Sequence, residues 1–517
     1  MDDRGNWLGF DLGTQSVRAL VVSADGEVLA AASRPLVSAR NGSRHEQNPE
    51  QWWDALTVTG RESLASLPPK SSGKIGALAI CGTSGTILLV DAAGDPRTSA
   101  IMYDDSRASE DAARANEVGG AAWEALGYQM QPTWALPKLL WLLREHGNAV
   151  RRCRLAQQVD FVIRRLIGRE TPSDSSHALK SGYDLLSNAW PHEVMSALGV
   201  PERMLPGVVP PGTELGIVGH AGAEATGIPE GTPVIAGMTD GCAAQLAAGA
   251  LRVGGWNSVL GTTLALKGVS RERIRDPQGV VYSHRSPDGH WLPGGASSVG
   301  AGVLSERFAG RDLRALDRRA AEREPANALA YPLVSRGERF PFIAPEAQAF
   351  MLGSPADEAS EFAALLQGVA YIERLCFDHL DQIGAPTGGE LSFTGGATRS
   401  RYWCQLRADV LGREVRLVEH AEPALGMAVL AAAGARRLSE TVAAGKQEQE
   451  GSETGDTGML VLSDTAAEMV RVREVIEPRS DPSQRFREPY VRLVDELERR
   501  GWLHRGLAEH ARARAAR

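Results

Sequence analysis

Residues 7–29, WLGFDLGTQSVRALVVSADGEVL, constrain this chain more than any other stretch. Leu8 and Phe10 lead into Asp11, and Leu12-Gly13-Thr14-Gln15-Ser16 is a small polar turn. Residues 17–22 are apolar again, and Asp25-Gly26 makes a second turn before Val28. Runs of this length, broken by such turns, predict a three-stranded meander. The first turn has unusual chemistry. A carboxylate at the end of a buried strand precedes Gly, Thr and Ser, whose N–H and hydroxyl groups can share one concavity. Such a nest can hold phosphate oxygens while the carboxylate faces a phosphate-bound metal ion. On this stretch alone, an ordinary hairpin with a solvated Asp11 competes with that reading.

At 517 residues the chain exceeds one hydrophobic core, so two large domains, or three or four of about 150 residues, are expected. A formal net charge of −8 argues against a nucleic-acid or anionic-membrane binder, since neither surface would attract it. Cys81, Cys153, Cys242, Cys376 and Cys404 lack CxxC spacing, as expected of reduced thiols that serve as small buried residues. The amino terminus, MDDRGN, shows no signal-peptide pattern, and no uncharged run approaches the ~20 residues of a membrane span. A cytoplasmic protein is expected.

Along the chain, Asn48-Pro49-Glu50 reads as the entry to a helix carrying Trp52 and Trp53. Residues 75–80 form a strand running into Cys81-Gly82-Thr83-Ser84-Gly85-Thr86, and 87–90 form another. Strand ends of this kind present ligand groups in open α/β sheets. Tyr103-Asp104-Asp105-Ser106-Arg107 reads locally as a solvated loop. Residues 134–145 and 159–167 have helical spacing, with Lys138 expected at the surface. Residues 171–184 read as a polar loop in which His177 makes local hydrogen bonds. In 231–250 a strand, a tight turn and a small-residue helix follow one another, with Asp240 at the junction either as a helix cap or as a general base.

Residues 254–268 repeat the logic of the amino terminus around Gly261-Thr262-Thr263. Strands are expected at 279–282 and 291–292, the latter ending at Gly294-Gly295-Ala296-Ser297-Ser298. Helices are expected at 362–380, 402–411 and 424–433. Strand 391–394 enters Gly395-Gly396-Ala397, a turn that permits close backbone approach to a nucleotide. Residues 446–457 read as a flexible excursion, and 505–517 as a solvated helix or fraying tail. Two meanders with Gly-Thr turns suggest two copies of one domain type. Neither contains GxxxxGK[ST], so two hairpins rather than one glycine loop would grip a nucleotide.

The motifs DLGTQSVRALVV, EQNPEQWW, GMTDGCAAQLAAG, LGTTLALKG, FTGGATRSRYWCQLRADVLG and ALGMAVLAAAG occur in that order. Through them the chain resembles the FGGY carbohydrate kinases, of the sugar-kinase, actin and heat-shock-chaperone ATPase superfamily. GTSGTILLVD, YPLVSRGERFPF and VVYSHRSPDGHWLPGGASS resemble the plant and cyanobacterial xylulokinase-like branch associated with D-ribulose phosphorylation. The resemblance implies two ribonuclease H-like (actin-like ATPase) α/β domains, 1–252 and 253–437, with ATP and sugar meeting in a central cleft that closes on binding. Residues 438–517 would be a C-terminal extension. Asp11 would stand at the Mg²⁺–phosphate position and beside the sugar, with Gly13, Thr14 and Gln15 around the γ-phosphate. Gly261, Thr262 and Thr263 would form the second phosphate hairpin. Gly395, Gly396 and Ala397 would line the adenosine pocket, with Arg399 and Ser400 close by. Asp240 would take the proton from the sugar hydroxyl that attacks phosphorus.

One departure bears on the substrate. Where xylulokinases carry a Gln-Met-His-Gly run whose histidine contacts the sugar, this chain has Gly82-Thr83-Ser84-Gly85, so Ser84 would be the contact. The xylulokinase tryptophan-asparagine-aspartate run appears as Tyr103-Asp104-Asp105, which makes Asp105 a second candidate. Both changes favour D-ribulose over D-xylulose, with another ketose or a polyol behind them. A catalytically idle sugar sensor is the alternative of a different class, and retention of Asp11 and Asp240 argues against it. Sugar and ATP are the expected partners, with neither nucleic acid nor membrane, and the oligomeric state is open, a homodimer included.

Overall fold

The computed structural model describes residues 5–69, 74–443, 455–479 and 482–516. It divides into two compact units, Met1–Gly249 with His284–His290 and His420–Arg471, and Ala250–Ser283 with Trp291–Glu419 and Val472–Arg517.

Unit 1 is built on the expected meander, β1 (Asn6–Leu12), β2 (Ser16–Val22) and β3 (Val28–Pro35). β4 (Ile75–Gly82), β5 (Glu214–Ile217) and β6 (Pro233–Ile235) complete a six-stranded sheet of order β5-β6-β4-β1-β2-β3. β4 runs parallel to β1, and β6 runs parallel to β4. Leu8, Phe10 and Leu12 alternate onto one face and join a core with Trp52 and Leu56 of the helix Glu50–Ala65. That helix starts where Pro49 and the acidic first turn predict. Gly9 faces the other way. A Cβ there would lie 1.8 Å from the carbonyl oxygen of Ala424, so the helix Pro423–Ala443 rests on β1 at a distance only glycine permits.

This contact changes the expected domain division. Residues 420–471 pack with unit 1, whereas 472–517 pack with unit 2, so 438–517 is not one separate extension. Of the excursion expected at 446–457, residues 446–454 lie outside the described residues, and 455–457 open the helix Gly455–Met469.

Unit 2 repeats the arrangement. β7 (Trp256–Leu260) pairs antiparallel with β8 (Leu264–Gly268), and β8 pairs with β9 (Trp291–Ser297). β10 (Leu391–Thr394) runs parallel to β7, followed by β11 (Val415–Val418) and β12 (Val472–Ile476). The hairpin β1-β2 with parallel β4 thus has its counterpart in β7-β8 with parallel β10. β9 continues through Gly294-Gly295-Ala296-Ser297 instead of ending there, because Leu264–Lys267 of β8 pair with all four. The strand expected at 279–282 begins only at Tyr282 and runs to Arg285. The cause is Asp276, whose carboxylate accepts the backbone N–H groups of Gln278, Val280 and Val281 at 2.9–3.0 Å and folds that segment into a turn.

The helix Glu358–Gln382 is buried along most of its length in the unit 2 core. The basic carboxy-terminal stretch is a packed helix, Arg505–Ala516, rather than a solvated tail. Leu507, Ala508, Ala511 and Ala515 form an apolar stripe that is buried in the same core, while the arginines lie on the remaining faces. All five cysteines are buried and free. Among the described residues, no helix is long and apolar enough to cross a membrane.

Candidate active site

Three strand ends of unit 1 lie side by side. Leu12 of β1 is in register with Gly82 of β4, and Gly82 forms a parallel bridge to Thr239. The register brings together the loop after Asp11, the turn 82–86 and the start of the helix Asp240–Ala247 at the carboxyl ends of parallel strands.

Asp11 is opposite Arg18 on β2 and beside Cys81 on β4. Its carboxyl is raised from 3.8 to about 6, first by burial and then by the charge of Asp240, with Arg18 and the Cys81 hydrogen bond pulling the other way. The two acidic candidates therefore share one electrostatic environment. The turn after Asp11 is closed by Gly13 N–H donating to Ser16 O at 3.1 Å. It is held from behind by Gln47, whose side chain donates to Thr14 O at 2.7 Å and accepts from the Trp52 indole at 2.7 Å. Gln47 stands in the run EQNPEQWW, residues 46–53, where the sequence offered a helix entry and a family motif but no role for this side chain. Thr14 is partly buried and Gln15 exposed. Asp240 is the first residue of its helix and Thr239 holds the cap position, so the capping reading of Asp240 does not apply. One Asp240 carboxylate oxygen accepts from Gly241 N–H at 2.7 Å.

The segment 171–184, expected as a polar loop, contains the strand Ser173–Asp174, the short helix Ser175–Ala178 and a final turn Leu179–Ser181. It braces both strand ends from inside the protein. The Ser176 hydroxyl accepts Thr239 N–H at 3.2 Å and lies 3.2 Å from the Thr239 hydroxyl, one residue before Asp240. His177 is fully buried, with Nδ1 2.6 Å from Asp174 and Nε2 3.3 Å from Gly82 O. Burial alone would lower its pKa, but the neighbouring Asp174 carboxylate outweighs that and raises it.

Around the turn 82–86, the Ser84 hydroxyl is enclosed and makes no hydrogen bond. Lys138 is fully buried, against the expectation of a surface position, and its ammonium donates to Gly85 O at 2.8 Å and Met102 O at 2.7 Å. Asp105 is also fully buried, but both its oxygens are already committed. They accept the Arg107 guanidinium at 2.6–3.0 Å and His45 N–H at 2.6 Å, and Arg107 in turn pairs with Glu46 at 2.6 Å. Asp105 thus orients Arg107. Its neighbour Asp104 is 29% exposed and pairs with His45 and Arg40.

In unit 2 the hairpin between β7 and β8 is closed by Gly261 N–H donating to Thr263 O at 3.1 Å. Gly261 O and Thr262 O accept the N–H groups of Ala301 and Gly302 at 2.8 and 3.1 Å, which fixes the hairpin on the following segment. Gly395 has φ +88°, and a Cβ there would lie 2.6 Å from Leu260 O. Gly396 is exposed with open space around it, Ala397 is buried and Arg399 is exposed. The Ser400 hydroxyl caps the helix Arg401–Leu411 by accepting Trp403 N–H at 3.0 Å and donates to Asp317 at 2.8 Å.

The model of the FGGY family of carbohydrate kinases, N-terminal domain, matches residues 6–247, and that of its C-terminal domain matches 256–435. The chain belongs to the FGGY family of carbohydrate kinases. It is 31% identical over 439 residues to a xylulose kinase of Streptomyces coelicolor, spanning 82% of this chain and 87% of that one. It is 25% identical to a gluconokinase of Bacillus licheniformis, spanning 82% and 86%. The crystal structure of xylulose kinase from Rhodospirillum rubrum aligns with a TM-score of 0.81 at 26% identity, covering 95% of this chain and 99% of that one. This FGGY kinase is an ATP-dependent sugar kinase with two α/β domains, as the motifs implied.

Proposed function

We propose that this FGGY kinase converts D-ribulose to D-ribulose 5-phosphate. The observation that carries the choice of sugar is the enclosed Ser84 hydroxyl, which has no hydrogen-bond partner, in the strand-end row shared with Asp11 and Asp240. An unpartnered hydroxyl, standing where xylulokinases carry an imidazole, offers one donor and two acceptor positions to a sugar hydroxyl. D-Ribulose and D-xylulose carry the same hydroxyls and differ in configuration at one carbon, so Ser84 would choose between them by the direction in which that hydroxyl points.

In this reading the Asp240 carboxylate accepts the proton of the terminal hydroxyl as that oxygen bonds to the γ-phosphorus. The bond from phosphorus to the bridging oxygen breaks, ADP leaves, and the proton passes from Asp240 to water. A base so positioned contributes roughly 10²–10⁴-fold, and the remaining acceleration comes from holding the phosphates in line. Gly13, Thr14 and Gln15 would offer donors to phosphate oxygens, as would Gly261, Thr262 and Thr263. Gly395, Gly396 and Ala397 would meet the adenosine with backbone, Arg399 would lie at its rim, and Ser400 would act only through the helix it caps.

Asp11 fits a magnesium ion carried in on the nucleotide. Its carboxyl is raised by burial and by a second carboxylate, and a divalent cation relieves that crowding. Among the described residues no group of three or more His, Cys, Asp or Glu could hold a metal by itself, as suits an ion that keeps waters and phosphates as ligands. When bound, it would supply charge neutralisation on the transferring phosphate.

D-Xylulose is the second reading, favoured by the xylulose kinase among the relatives. An ADP-release assay across D-ribulose, D-xylulose, gluconate and glycerol tests the choice. The highest kcat/KM is expected with D-ribulose, and rapid turnover of D-xylulose with none of D-ribulose would overturn it.

A further inference from the structure

Two lysine ammonium groups converge on consecutive peptide carbonyls of the Ser84 turn. Lys180 donates to Ser84 O at 3.2 Å, and Lys138 donates to Gly85 O at 2.8 Å while also reaching Met102 O at 2.7 Å. Met102 O is the carbonyl that accepts Asp105 N–H at 3.0 Å, so Lys138 joins the turn to the segment that orients Arg107.

This arrangement runs against local preference. Lys138 lies in the first turn and a half of the helix Ala135–His146, near its positive end, among the buried residues Ala135, Leu136, Leu139 and Leu140. A fully buried ammonium is costly unless hydrogen-bonded, and an apolar side chain would pack the same space without that cost. Its pKa is held well below the ordinary lysine value, first by burial and then by the charge of Lys180, with Asp105 and Asp104 opposing. Violations of this kind concentrate where position matters more than stability.

We propose that Lys138 and Lys180 form a two-point staple that fixes the direction of the Ser84 side chain, and that they are positioning residues for the choice among ketoses. Hydrogen bonds from two lysine side chains to carbonyls on adjacent peptides restrict the turn's freedom to rotate. Gly85 adopts φ +95° between them, and a Cβ there would lie 3.3 Å from Lys180 Cδ, so the side chain of Lys180 is packed along the turn it holds. The inference rests on Ser84 being the acceptor contact.

The test compares Lys180→Met, Lys180→Arg, Lys138→Met and Ser84→Ala in steady-state kinetics with D-ribulose, D-xylulose and ATP, with a melting curve for each. Lys180→Met is expected to raise the D-ribulose KM about 10-fold, the equivalent of about 1.4 kcal/mol, and to narrow the preference over D-xylulose. The kcat, the KM for ATP and the melting midpoint should stay near those of the parent. Lys180→Arg, which keeps a donor for Ser84 O, should recover most of the loss. Lys138→Met should act in the same direction and more strongly; if it does not fold, Lys180→Met decides alone. If Ser84→Ala raises the ketose KM while Lys180→Met leaves it unchanged, the staple is refuted and the reading of Ser84 stands. If Ser84→Ala changes nothing, the reading of Ser84 fails and the staple fails with it.

Discussion

Replacing Asp11 by Asn should inactivate the enzyme and stabilise it, by an amount that grows with pH. The Asp11 carboxyl is raised from 3.8 to about 6, mainly by burial and then by Asp240. At about 1.4 kcal/mol per pH unit, that span amounts to about 3 kcal/mol. The folded protein binds this proton more tightly than the unfolded chain does. The contribution of Asp11 to stability is therefore complete below pH 3.8 and is lost as pH rises through about 6. An amide has no proton to lose. Asp11→Asn should exceed the parent by about 3 kcal/mol at pH 8 and by about half that at pH 5. In a unit of this size the difference at pH 8 raises the melting midpoint by on the order of 5 °C. Thermal unfolding at the two pH values, without nucleotide, reads the effect. Asp240→Asn should show a smaller gain at pH 8, since it removes only the second of the two causes. An Asp11→Asn protein no more stable than the parent at pH 8, or equally stabilised at both pH values, would refute the electrostatic account of the site.

Two further outcomes follow from the same geometry. Ser176→Ala removes the acceptor of Thr239 N–H one residue before the base, an unmade buried hydrogen bond worth about 1–3 kcal/mol. The kcat should fall about 10-fold with the KM for ATP unchanged, and a full-speed Ser176→Ala enzyme would remove Ser176 from the support of Asp240. Gly395→Ala forces an L-residue to φ +88°, ψ 177°, a region essentially reserved for glycine, with a Cβ 2.6 Å from Leu260 O, costing about 1–3 kcal/mol in conformation before the clash. Nucleotide affinity measured by calorimetry should drop about 10-fold with ketose affinity unaffected; unchanged nucleotide binding would take the turn out of the adenosine site.

The position of the two candidate carboxylates was legible because it follows from local patterns. Asp11 and Asp240 terminate apolar runs beside small turns, and the structure brings both to one row of strand ends. Ser400 was legible in a different sense: a serine directly before a helix is a cap signal, and the helix Arg401–Leu411 uses it that way. The basic tail carried a readable apolar stripe at Leu507, Ala508, Ala511 and Ala515, obscured by the arginines between them. Asp105 was not legible. Whether a carboxylate is free depends on Arg107 and on the backbone of His45, which lies 60 residues away.

The strands of both meanders, the turns that close them and the small-residue helices were determined by the sequence itself, since periodicity and turn residues act over a few neighbours. Tertiary structure alone decided which charges are buried and what they hold. Lys138 is the clearest case: within its helix it is a lone cation on an apolar stretch, indistinguishable from a surface residue. Its burial is tolerable because the carbonyls of Gly85 and Met102, 53 and 36 residues away, accept hydrogen bonds from its amine. No local pattern encodes that meeting, because a buried charge is stabilised by whatever the fold delivers to it.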